Sequence, residues 1–186
     1  MKLKRKRVIS WTMVILMMAV IFLFSAKTAD ASEQMSMGVT QWISKLVGIS
    51  PAEAGGFGNS LYDMLSVMDH YVRKTAHFLE YALLGVLVCR ALGIDVKKKA
   101  HLLGAALAFC SFYAVTDELH QYFVPGRSCQ IKDVMIDSSG ALTGICFCML
   151  AGFVLKKIKN KRRNVRQKIP RMSEFSDIGV FCGGGR

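Results

Sequence analysis

Between residues 73 and 137, three short stretches carry side chains able to move protons, hold anions or ligate a metal. "RKTAHFLE" supplies Arg73, Lys74, His77 and Glu80; "DELHQ" supplies Asp117, Glu118, His120 and Gln121; "GRSCQIKDVMID" supplies Arg127, Asp133 and Asp137. Two imidazoles and five carboxylates could provide an acid–base pair set apart by burial, or ligands for a divalent metal. Two guanidiniums could pair with phosphate or carboxylate. In the catalytic version, Glu80 or Asp117 is the base, with His77 or His120 as its partner. In the binding version, Arg73, Glu118, Gln121, Arg127, Asp133 and Asp137 recognise a ligand. Neither His-X-X-Glu nor Asp-Glu-X-X-His names a metal, because "DELH" has one histidine where the zinc-protease helix has two. Metal and cofactor stay unassigned.

These groups are embedded in apolar sequence. The chain has 186 residues, 52% of them hydrophobic, and the apolar ones are bunched. Val8 to Ala26 is free of charge and long enough to cross a bilayer at about 1.5 Å per residue. Residues 72–92, 101–120 and 134–155 make three further spans, the second and third completed only by including ionisable groups. The fold class is therefore all-α: a polytopic membrane protein with four transmembrane helices. "MKLKRKR" followed by an apolar run also suits a signal peptide, with Ala29-Asp30-Ala31 as cleavage site. The run exceeds the usual apolar core of about 7–15 residues, which favours a retained anchor.

Charge orients the spans. Residues 1–7, 90–100 and 156–186 hold 19 of the 25 Lys/Arg and only three acids, Asp95, Glu174 and Asp177. Cationic loops stay in the cytoplasm, so both termini are expected inside and the three reactive stretches at the outer boundary. The net charge of +12 is on this reading a topology signal. The basic stretch after Leu155 has no aromatic residue among its charges for stacking on bases, so no nucleic-acid partner is expected. Residues 1–7 form a basic cytoplasmic N-terminus, 8–155 the membrane domain, and 156–186 a basic tail read as disordered. Cys89, Cys110, Cys146 and Cys148 lie in spans as small apolar residues, while Cys129 and Cys182 fall on opposite sides of the membrane.

Helical spacing refines the picture. Arg73, His77 and Glu80 form one stripe, with Glu80 about 12 Å beyond Val72. Asp117 shares a face with His120 or Gln121. Asp133, Asp137, Gly140 and Gly144 form another stripe, whose glycines permit close helix approach. Ionisable groups in hydrocarbon cost roughly 2.5–3.5 kcal/mol each on insertion scales, so they must face the bundle or a wet cavity. "FVPGRS" reads as a tight turn presenting Arg127. In the outer loop, residues 27–71, Val39, Trp42, Ile43, Leu46 and Val47 fit either an interfacial amphipathic helix or an ordinary packed one. "SPAEAGGFGNS" reads as a flexible linker.

These residues resemble the VanZ-like membrane proteins. The likeness rests on "IFLFSAKTADAS" (Phe24, Ser25, Ser32), "RKTAHFLEYALLG" (with Tyr81 and Gly85), "DELHQYFVPGRS" (with Pro125 and Gly126) and "KDVMIDSSGALTG". It covers roughly residues 8–155, in order. Lys27 departs from it, standing where a polar uncharged residue is expected. The resemblance implies a bacterial plasma- or inner-membrane protein of the cell envelope, with a link to teicoplanin-type glycopeptide resistance. It brings no established reaction, and no phosphate-cradling glycine loop supports an acyl-phosphate transferase. The expected partners are the lipid bilayer and an anionic envelope lipid or precursor. Three readings of the polar cluster stay open: a binding site, an acid–base or metal-dependent enzyme acting on a lipid headgroup, and a set of paired charges that only clamps helices. A transporter ranks last, since no inverted repeat or broken helix is evident.

Overall fold

A computed structural model describes the backbone of residues 2–27, 34, 37–39, 42, 46, 58–127 and 130–168. It contains four long helices: α1 (Lys2–Ser25), α2 (Gly58–Leu92), α3 (Lys99–Tyr122) and α4 (Ile131–Lys168). Each holds a stretch long and apolar enough to cross a membrane. The protein is a multi-pass membrane protein. The chain divides into two compact units, Met1–Cys148 and Met149–Arg186. The first holds α1, α2, α3 and the beginning of α4. The described part of the second is the end of α4, an exposed helix bearing Lys156, Lys157, Lys159, Lys161, Arg162 and Arg163.

Two helices outrun the expected spans. α2 starts at Gly58, so the last three residues of the supposed linker form its first turn. The sequence from Leu61 to Met68 repeats Leu61, Met64, Leu65 and Met68 at helical spacing and contains no proline, so nothing stops the helix short of the membrane. α4 runs past Leu155 to Lys168 instead of fraying into a tail. Lys, Arg and Gln are good helix formers, and no glycine or proline intervenes after Gly152 until Pro170. Residues 169–186, Ser32, Cys129 and the rest of the supposed linker lie outside the described residues. In the outer loop Val39, Trp42 and Leu46 are helical and exposed, while Ile43 and Val47 are not described.

α1 is apolar on every side. Val14 and Ile21 are fully buried, whereas Val8, Ile15, Leu16 and Leu23 are exposed, as expected of a helix half in contact with lipid. α3 packs with small residues: Ala106, Cys110 and Ala114 recur every fourth position and are fully buried, and the same stripe continues into Asp117, Glu118 and Gln121. A face that is apolar in mid-membrane thus turns acidic at its end. The Tyr113 hydroxyl donates to the Met18 carbonyl at 2.7 Å, fixing α1 against α3. At one end of the bundle Arg7 pairs with Asp95, joining the basic start of α1 to the α2–α3 connection.

α2 and α4 meet through glycine. A Cβ on Gly140 would overlap the Phe78 carbonyl oxygen, one on Gly144 the Ala82 carbonyl, and one on Gly85 the Ala141 carbonyl. Backbone faces backbone here, the close approach that small residues allow in lipid. This contact holds Arg73 and His77 of α2 beside Asp133 and Asp137 of α4. Gly144→Ala is expected to destabilise the detergent-purified protein by roughly 1–3 kcal/mol, the cost of overpacking, read as a fall in melting temperature. Gly104→Ala is the control: nothing lies within 4 Å of its Cβ position, so its melting temperature should hold or rise slightly.

Candidate functional site

At the bundle end opposite the Arg7–Asp95 pair, α3 closes on a sharp turn. The Arg127 N–H donates to the Val124 carbonyl at 3.2 Å, and Gly126 between them has φ 78°, a conformation that suits glycine. Pro125 and Gly126 therefore occupy the central positions of a type II pattern. This turn swings Arg127 back over the end of the bundle. Its Nη1 donates to the Gln121 side-chain oxygen at 2.9 Å, a neutral acceptor. Among the described residues Arg127 makes no ion pair with a carboxylate. Burial and the neighbouring Arg73 guanidinium lower its pKa from the ordinary arginine value, against the pull of Asp117 and Glu118. An arginine starts so far above neutrality that the charge stays on.

Beneath the turn lies a cavity of about 180 Å³. α2 contributes Arg73, Lys74 and His77; α3 contributes Glu118 and Gln121; the connection contributes Gly126, Arg127 and Gln130; α4 contributes Asp133, Ile136 and Asp137. All but Ile136 and Gly126 present polar side chains. Some are already matched. Lys74 pairs with Asp133 across the α2–α4 seam. Glu118 accepts a hydrogen bond from the Gln130 backbone N–H at 3.1 Å, which tethers the connection to α3.

Behind the cavity sits Asp117, 2% exposed. Its Oδ2 accepts from Ser25 Oγ at 2.8 Å and from Gln121 Nε2 at 3.2 Å. Gln121 Nε2 also reaches Ser25 Oγ at 3.2 Å, closing a three-membered ring of donors and acceptors. The ring spends one carboxylate oxygen and leaves the other, Oδ1, buried without a partner. His77 Nδ1, Tyr81 Oη and Asp137 Oδ2 are in the same condition. His77, Asp117 and Asp137 each bring one potential ligand atom within 4.8 Å of the others.

The structure thus gathers Arg73, His77, Glu118, Gln121, Arg127, Asp133 and Asp137 around one cavity, with Asp117 adjoining it. It does not bring Glu80 or His120 to the cavity wall. Glu80 is half-buried on α2. The His120 ring stacks on Phe22 with centroids 4.4 Å apart, so it faces α1. Sequence reasoning missed Ser25 as the hydrogen-bond partner of Asp117, the Gln130 tether, and Phe22 as the surface that claims His120. The end of span 1 gave one usable sign of the first: Ser25 follows the uninterrupted apolar run of residues 13–24. Lys74 was read as a charge but not placed in the site.

If the ring is what orients Asp117, Ser25→Ala should destabilise the folded protein by roughly 1–3 kcal/mol, the cost of stripping a donor from a buried charged acceptor. Thermal unfolding in detergent measures it. Ser139→Ala, on an exposed hydroxyl bonded only to its own helix, should leave the midpoint within experimental scatter.

A comparison with protein families returns a match of residues 10–153 to the family described as VanZ/LLP1, covering most of the four helices and the whole cavity. Comparisons with curated proteins and with solved structures return no match.

Proposed function

The chain belongs to the VanZ/LLP1 family, and from that premise and the chemistry of its cavity we propose that it takes the anionic headgroup of an envelope lipid or lipid-linked precursor at the outer face of a bacterial cell membrane. Tolerance of teicoplanin-type glycopeptides, which the likeness to VanZ implies, would follow from that engagement. The observation that carries the reading is Arg127: a half-buried guanidinium on a cavity wall whose hydrogen-bond partner among the described residues is a neutral amide. A charge held this way wants a carboxylate or phosphate oxygen, and a guanidinium offers two parallel donors to either.

Cavity size favours a fragment over a whole lipid. At about 180 Å³ the cavity is smaller than the roughly 300–1,000 Å³ of a site that encloses a drug-sized ligand. That is room for a phosphate or a terminal carboxylate, with acyl chains or the remainder of a precursor lying outside. Charge supports this side of the membrane: the Arg7–Asp95 end carries the lysines and arginines of residues 1–7 and 97–99, which favour the cytoplasm, and the cavity is at the other end. The helix-clamp reading is supported by the Lys74–Asp133 pair and the Ser25–Asp117–Gln121 ring. It leaves Arg127 unexplained, since the Gln121 amide would be as well served by water.

Two measurements test this. In cells expressing the protein, Arg127→Gln is expected to lose glycopeptide tolerance and, after purification, an anionic lipid that native mass spectrometry finds on the unaltered protein. Its membrane abundance should be unchanged. Tolerance retained by Arg127→Gln, or lost only in step with abundance, would count against the reading. Separately, Gln130→Cys in a background lacking the native cysteines should react with a membrane-impermeant maleimide added to intact cells. Labelling only after the cells are opened would put the cavity on the cytoplasmic side.

A further inference from the structure

We infer that His77, Asp117 and Asp137 together bind a divalent transition-metal ion at the inner wall of the cavity. The three residues come from three helices, α2, α3 and α4, and each offers a ligand atom within 4.8 Å of the other two. Each also carries a buried atom without a hydrogen-bond partner: His77 Nδ1, Asp117 Oδ1 and Asp137 Oδ2. Both aspartates are only 2% exposed, and the unpartnered atoms are themselves buried. Buried polar atoms are ordinarily satisfied, and three residues that cluster their ligand atoms while each leaves a buried atom unmatched point to a missing common partner.

The nature of that partner follows from charge. Two carboxylates at one buried point carry up to two negative charges, and the nearest cations are otherwise engaged or directed elsewhere. Lys74 is paired with Asp133, and Arg127 donates to Gln121. A divalent cation neutralises both acids at once. The imidazole then selects among cations: Ca²⁺ and Mg²⁺ prefer all-oxygen ligands, whereas Zn²⁺, Mn²⁺ and Fe²⁺ accept a mixture of imidazole and carboxylate. Metal bonds of about 2.0–2.2 Å put ligands of one ion roughly 3–4 Å apart, so the three side chains need to draw in by only about 1 Å.

Outer contacts suit this role. A metal-binding carboxylate is usually fixed by hydrogen bonds through its other oxygen. Ser25 and Gln121 do that for Asp117 Oδ2. Ser25 so acts as a positioning residue, and all four helices contribute to the site. Tyr81, fully buried and within the electrostatic reach of both Asp117 and Asp137, has a phenol oxygen likewise lacking a partner and stands as a further neighbour. Three protein ligands leave coordination positions free, and His77 and Asp137 line the cavity. An anionic oxygen entering beside Arg127 would reach the ion. This last point, and only this one, rests on the function proposed above.

The test uses full-length protein purified in detergent. After chelator treatment and its removal, Zn²⁺ or Mn²⁺ is added at micromolar concentration. Melting temperature and calorimetric Kd are then recorded, with Mg²⁺ and Ca²⁺ in parallel. The expected result is near one ion per chain, a raised melting temperature with Zn²⁺ or Mn²⁺, and at least tenfold weaker Kd in both Asp137→Asn and His77→Gln. Two variants are used so that one failing to fold leaves the other decisive. A stripped protein unresponsive to Zn²⁺ and Mn²⁺ overturns the inference. So does an affinity unchanged in the variants, or a response confined to Mg²⁺ and Ca²⁺. Arg127→Gln separates this inference from the function: metal retained with the anionic lipid lost supports both. Lipid binding without metal overturns the metal site alone, and metal binding without lipid overturns the lipid reading alone.

Discussion

Everything in this molecule answers to one constraint: ionisable side chains within helices that cross a bilayer must find partners inside the bundle. α2, α3 and α4 each carry such groups near one end, and none could cross alone without paying for them in lipid. Bringing the three ends together lets Lys74 answer Asp133, and Ser25 and Gln121 answer Asp117. The apolar parts of the same helices, with Ala106, Cys110 and Ala114 on α3 and the glycine contacts between α2 and α4, set the helices close enough for those partnerships. Packing and electrostatics are here one arrangement seen at two depths.

What is left over defines the site. A bundle built only for stability would match its polar atoms pairwise, or replace them by apolar residues at little loss. This one matches some and leaves others: Arg127 faces a neutral amide, and His77, Asp117 and Asp137, whose ligand atoms cluster, each keep a buried atom without a hydrogen-bond partner among the described residues. In the function and the metal site proposed above, a ligand's oxygen and a cation supply what the protein leaves unmatched.

Much of this was legible in the sequence. Four apolar runs, a Pro-Gly turn, the i, i+4 partnership of Asp117 with Gln121 and a glycine stripe on the last span all have signatures in residue type and spacing, and each has its counterpart in the structure. The illegible part concerns rotation and reach. Residues three and four apart differ by about 60° and 40° around a helix, so spacing alone put His120 and Gln121 equally beside Asp117. The aromatic face of Phe22 drew His120 away, and Phe22 lies on a helix so evenly apolar that its inward side cannot be read from periodicity. Ser25 was hidden for the same reason. Helix ends were misjudged because charged residues end a membrane span without ending a helix, as the run of α4 to Lys168 illustrates.

The most direct test of the convergence is a charge-exchange cycle on the Lys74–Asp133 ion pair, which joins α2 to α4. Lys74→Asp and Asp133→Lys are made singly and together, and unfolding free energies are measured in detergent. The account predicts that each single change destabilises the protein and that the exchange recovers much of the loss, with a coupling of roughly 0.5–3 kcal/mol between the two positions. Strictly additive effects would mean that the two charges do not meet, and the cavity between their helices would have no basis.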